Sequence, residues 1–203
     1  MTEEFILDLI NEMSPQYVHS TNFKLDDKSV NRRLYLDITL DNHKEEIRED
    51  FVPKNTKLYK IKNTFALLYD NKVIYYLKYI EKWYGFLKRK CIQQVVVWRD
   101  RKYKETVDFA ENIFFKILLK INGTIITDSL QTEDGQGFWD NRVINAYDHG
   151  LHIYYINFLA PDKEIIELPT AHDFRKIVDD KDIWGSRNKH QAKRIVISTE
   201  KLV

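Results

Sequence analysis

Between Lys57 and Asp100 three β-rich stretches follow one another, and directly after them the apolar spacing changes from two residues to 3.6. The first two, "KLYKIKNTFALLYD" and "KVIYYLKYI", flank Asp70-Asn71, a dipeptide that tolerates the positive φ of a tight hairpin turn and so predicts antiparallel pairing. The third, "CIQQVVVWRD", carries three consecutive valines and a tryptophan, the composition of a strand buried on both faces. Val107, Ala110, Ile113, Phe114, Ile117 and Leu118 then line one side of a predicted helix, opposite Glu105, Asp108, Glu111 and Lys116.

Downstream, "TIITD" is a short β-branched run, and a helix is predicted through Phe138, Trp139, Val143, Ala146 and Tyr147 to Gly150. "LHIYYINFL" resumes β character with "KEIIEL" as an antiparallel partner, and the tail from Ala171 reads as a short helix, a basic loop "WGSRNKHQAKR" and a last strand "IVIS". Upstream, Phe5, Ile6, Leu9, Ile10 and Met13 predict a first amphipathic helix; "RRLYLDITLD" alternates as a half-buried strand, and "HKEEIRED" reads as one or two polar helical turns. The expected fold is α+β, α/β-like, with a mixed and mainly antiparallel sheet flanked by helices. Right-handed crossover makes "CIQQVVVWRD" and "TIITD" parallel neighbours. Residues 1–22 are expected to form a helix and linker, and 23–203 a single domain.

With 203 residues, the chain can bury a core without disulfides or metal. Its 32 basic and 31 acidic residues nearly cancel, so binding to nucleic acid would have to come from a local patch. A lone cysteine, an acidic N-terminus and no run of membrane-spanning length predict a cytoplasmic protein with no membrane partner.

The order of a meander followed by β-α-β-α-β-β resembles the GNAT acyltransferase fold across roughly residues 30 to 168, as does the late helix and strand in "NRVINAYDHGLHIYYI". In that family two central parallel strands splay, and the pantetheine arm of an acyl-CoA enters between them. The resemblance implies Tyr147 as general acid and acetyl-CoA as cofactor. The family's pyrophosphate loop is glycine-rich, so that backbone N–H groups approach the anion; the matching place here is "RDRKYKETV", without glycine. Arg99, Arg101, Lys102 and Lys104 are the phosphate-binding candidates there. Asp128, Gln131, Thr132, Gly135, Phe138 and Trp139 are similar to residues of GNAT-like proteins of bacteriophage genomes, which implies a phage origin and a host-cytoplasmic location.

Asp128 ends a predicted parallel strand, the edge where open α/β sheets place ligands. It is the candidate base of an acyl transfer; equally, Asp128, Ser129 and Thr132 can cap the following helix. Gly135 and Gly137 lack the third glycine of a dinucleotide fingerprint. His149 and His152 with Asp148 lack a complete ligand set, and no metal is expected. The basic clusters "KRK" with "RDRKYK", and "SRNKHQAKR", could meet nucleic acid if Trp98, Tyr103 or Trp184 stack on bases; the alternative is a solvated, charge-balanced face.

Three functions are compatible with these residues. The first is an accessory protein, GNAT-like and phage-encoded, that acts through a protein partner or homo-oligomer and uses no cofactor. The second is an N-acyltransferase using acetyl-CoA, and the third a nucleic-acid-binding module.

Overall fold

The computed structural model describes residues 25–128, 133–160, 164–184 and 192–202. The predicted Glu3–Met13 helix and most of the basic loop "SRNKHQAKR" lie outside them. The strands form a mixed, mostly antiparallel sheet, so the α+β expectation stands at that level. The chain divides into two compact units, and strands β4 (Lys72–Tyr84) and β5 (Arg89–Arg99) contribute residues to both.

The first unit contains the described residues up to Ile80 and Gln94–Lys120. It opens with α1, Lys28–Leu40, whose N-terminus is capped by Asp27: the carboxylate accepts from the N–H groups of Ser29 at 2.8 Å and Val30 at 3.4 Å. Here "RRLYLDITLD" is helical, not a strand. Asn31, Leu34, Tyr35 and Ile38 recur at i, i+3, i+4 and i+7 and turn inward, while Leu36 and Leu40 are left exposed. The polar segment expected as helical turns contains β1, Glu45–Ile47.

Strands β1, β2 (Lys57–Ile61), β3 (Thr64–Tyr69) and β4 pair antiparallel in that order. The stretch expected as one strand is thus a hairpin, β2–β3, bent at Lys62 with φ 51°. Asp70 and Asn71, with φ 45° and 60°, turn β3 into β4 as the sequence predicts. Leu25, Ile38, Tyr59, Ala66, Leu68, Val73, Tyr76 and Val96 make one core beneath α1, with Trp98 packed at its margin. The helix after β5 begins as α2, Thr106–Asn112, widens into a π-helical stretch Ile113–Leu118, and ends as α3, Leu119–Asn122.

The second unit contains Glu81–Gln93 and the described residues after Ile121. Its elements are β6 (Thr124–Ile126), α4 (Glu133–Asp148), β7 (His152–Asn157), β8 (Glu164–Glu167), α5 (Ala171–Lys181) and β9 (Lys193–Ser198). β6 pairs parallel with β5 through Ile92↔Ile125 and Gln93↔Ile126, as the crossover rule requires. The last strand does not sit at an edge: β9 lies between β6 and β7, antiparallel to both, and β8 pairs with β7. Tyr84, Leu87, Cys91, Ile126, Tyr154, Ile156 and Val196 form its core cluster.

Candidate functional site

The expected phosphate-binding segment follows β5 in the first unit. Arg99 is half-buried at the strand end, and Arg101, Lys102 and Lys104 are exposed. Five backbone N–H groups of this turn, those of Asp100, Lys102, Tyr103, Thr106 and Val107, are already engaged. Asp100 donates to Ile74 O at 2.9 Å, Lys102 to the Asp100 carboxylate at 3.0 Å, and Tyr103 to Asp100 O at 3.1 Å. Thr106 donates to Tyr103 O at 3.1 Å and Val107 to Lys104 O at 3.0 Å. A pyrophosphate is normally cradled by converging free amides, and this turn does not fit one in that way. What it chiefly offers an anion is the side-chain charge of Arg101, Lys102 and Lys104.

Tyr147 and Asp128 both belong to the second unit. Tyr147, half-buried on α4, donates its hydroxyl to Leu168 O at 2.9 Å. Burial, and secondarily Asp173, push its pKa above the ordinary phenol value. Asp128, half-buried, lies two residues past the end of β6. Arg194, which the sequence places at the end of the basic loop "SRNKHQAKR", is instead buried in β9; Asp128 is a minor favourable charge for it and a minor unfavourable one for the Tyr84 phenolate.

Arg194 sits on β9 at 1% exposure, its guanidinium carbon 5.6 Å from the Phe158 ring centroid and its Nη1 donating to Lys193 O at 2.8 Å. Burial lowers its pKa to about 10, opposed by Tyr84 and Asp128. Tyr84 donates to Gln93 Oε1 at 3.2 Å and has its own pKa raised, mainly by burial. The sequence signal was present: Arg194, Val196 and Ser198 alternate in "KRIVIS", which puts a cation on a strand face that also carries a core valine.

The other sequence candidates fall into place separately. His152 Nδ1 lies 3.2 Å from Glu167 Oε1 across β7 and β8, while His149 is exposed near the end of α4. Among the described residues no group of three or more potential metal ligands gathers. Gly135 and Gly137 lie inside α4, and Trp139 beside them is buried. Thr132 lies outside the described residues. Cys91 is fully buried, its thiol pushed up to about 12 by burial, so it is a core thiol and not a nucleophile.

The aromatics expected to stack on bases are engaged elsewhere. Trp98 packs against the core under α1, Trp184 donates its indole N–H to Asp140 at 3.1 Å, and Tyr103 meets Tyr69 edge-on at 5.6 Å. The most exposed tryptophan among those described is Trp83, at 59%.

Two open concavities lie in the first unit. One of about 410 Å³ is lined by Glu46–Glu49 and Val52–Leu58, the other of about 310 Å³ by Tyr35, Thr39, Tyr59 and Tyr69 among others. Neither contains a residue proposed above for acyl transfer. No protein-family model, curated protein or solved structure matches the chain. No helix among the described residues is long and apolar enough to cross a membrane.

Proposed function

We propose that the chain is a GNAT-like, phage-encoded accessory protein that acts by binding another protein or a second copy of itself, without acyl-CoA chemistry. The observation that carries this reading is the turn after β5, whose Lys102, Tyr103, Thr106 and Val107 amides are all consumed within the chain. It is supported by Tyr147, whose hydroxyl is committed to Leu168 O, and by Asp128, whose charge works on a buried arginine. A partner surface is available on α1, where Leu36 is 41% and Leu40 75% exposed.

The test is thermal unfolding of the purified chain with and without acetyl-CoA, for the wild type and for Arg99→Ala/Arg101→Ala. The expected result is no rise in Tm for either. A saturable rise lost in the double variant would reinstate the enzyme. Size-exclusion chromatography with light scattering, run beside Leu40→Ser, reports self-association; pull-down from host lysate reports other partners.

A second reading, an N-acyltransferase using acetyl-CoA, is favoured by one feature of β5. Its parallel ladder with β6 ends at Gln93↔Ile126, yet the strand continues to Arg99. At the next position Gln94 is 5% exposed, and neither its Oε1 nor its Nε2 has a hydrogen-bond partner. A buried amide left in this state costs about 1–3 kcal/mol, a cost that a ligand with its own donor and acceptor would remove. A Tm rise with acetyl-CoA that Gln94→Leu abolishes is the outcome this reading requires.

A further inference from the structure

The hairpin joining β4 to β5 carries a surface that neither reading above uses. Tyr84 and Cys91 both belong to the second unit's core cluster. Side chains alternate along a strand, so Trp83 and Lys90 project to the opposite side of the hairpin, and both are exposed. The turn between the strands is tight: Leu87 N–H donates to Tyr84 O at 3.0 Å and Lys88 N–H to Gly85 O at 3.3 Å. Lys88 adopts φ 52° and is exposed.

The indole is more than half exposed beside the turn. A Cβ placed on Gly85 would stand 4.0 Å from Trp83 Nε1, an ordinary contact, so the ring lies along a residue that has no side chain to cover it.

Between Glu81 and Lys90 the chain carries four cations, Lys82, Lys88, Arg89 and Lys90, against one acid. Glu81, the nearby acid on β4, accepts from Asn122 Nδ2 at 3.0 Å. Arg89 is occupied by Glu200 at 3.7 Å and Thr124 at 3.4 Å. Lys88 and Lys90 have no ion-pair partner among the described residues. An exposed tryptophan is the best stacking platform a side chain offers, and stacking is sequence-tolerant because every base has a π-face. Ammonium groups on the same hairpin supply the phosphate contacts that fix a strand's path.

We infer that the Trp83–Lys90 hairpin binds single-stranded nucleic acid, one base stacking on Trp83 while Lys88 and Lys90 contact adjacent phosphates. The chain's near-zero net charge does not oppose this, because both cations belong to the same hairpin as the ring. The aromatic partner of the "KRK" cluster is then Trp83 and not Trp98.

The test is a fluorescence titration of the full chain with an oligothymidylate of about 12 nucleotides at low ionic strength. Saturable quenching is expected, with log Kd rising against log salt at a slope of about 1.4 for two phosphate contacts. Trp83→Ala should weaken binding about tenfold, read by anisotropy of a labelled oligonucleotide. Trp83→Phe should retain most of the affinity, and Lys88→Glu/Lys90→Glu should lose the salt dependence along with the binding. All three positions are exposed, so circular dichroism and Tm should stay at wild-type values.

No binding at low salt, or a Trp83→Ala variant with wild-type affinity, overturns the assignment. Displacement of the oligonucleotide by polyglutamate as readily as by unlabelled oligonucleotide overturns it too, in favour of an acidic polypeptide.

Discussion

Asn31 holds the backbone of Val73 at both of its polar atoms: Nδ2 donates to the carbonyl at 2.9 Å, and Oδ1 accepts from the N–H at 2.9 Å. The same Nδ2 reaches Leu25 O at 3.2 Å. One buried amide thus ties α1, the chain leading into it and the start of β4. Asn31→Ala leaves the Val73 N–H and C=O without this partner in a buried setting, a cost of about 2–4 kcal/mol. Urea unfolding should show a lower midpoint with an unchanged m-value. Asn31→Asp keeps the acceptor but aims a buried carboxylate oxygen at the Val73 and Leu25 carbonyls, and should cost at least as much as Asn31→Ala.

Arg194 supports a second prediction. Replacing one member of a buried charged group strands the other, which typically costs about 3–5 kcal/mol. Arg194→Met should therefore destabilise strongly, and Asp128→Asn in that background should recover part of the loss. A double-mutant cycle on unfolding free energy measures the coupling. Independent, additive effects would show that Asp128 does not depend on Arg194.

The β3–β4 turn can be improved. Asp70 takes φ 45°, and its side chain makes no hydrogen bond among the described residues. Asp70→Gly removes the left-handed penalty at this position and should stabilise by about 0.5–1 kcal/mol, seen as a higher Tm. Asn71→Gly should not help, because Asn71 Oδ1 accepts from Tyr35 Oη at 2.9 Å and that bond is lost.

Alkaline pH tests the buried thiol and phenols. Cys91 is raised from 9.0 to about 12 and Tyr155 from 10.0 to about 12, both chiefly by burial; Tyr84 and Tyr147 shift the same way. A raised folded pKa means that the unfolded chain releases its proton first. Their stabilisation is complete below the unfolded values and declines as pH rises through them, until the folded groups ionise. Each contributes at most about 1.4 kcal/mol per pH unit. Tm should fall from pH 9 upward, and Cys91→Ala should remove the earliest part of that decline.

The sheet's β-rich strands, the Asp70-Asn71 turn and the parallel β5–β6 pair were legible, because period-two runs and positive-φ dipeptides are local signals. "RRLYLDITLD" misled because Leu34, Leu36, Ile38 and Leu40 alternate as a strand would. The same segment also satisfies the helical period through Asn31, Leu34, Tyr35 and Ile38, once a buried asparagine counts as an inward residue. The Asp27 cap was the available deciding signal. The insertion of β9 between β6 and β7 depends on pairing over long sequence separations, which no local pattern encodes. Asp128 and Tyr147 stood out by motif position, whereas the burial of Arg194 and the Tyr147–Leu168 hydrogen bond are set by tertiary packing.

Glu81–Gln93 and the residues after Ile121 make one unit, while the Gln94–Lys120 stretch between them belongs to the other. No single cut in the gene can therefore release either unit whole. The chain cannot be re-engineered by simply joining two continuous segments end to end. Fragments divided near Gln93 or Lys120 should regain structure only when they are expressed together and complement one another.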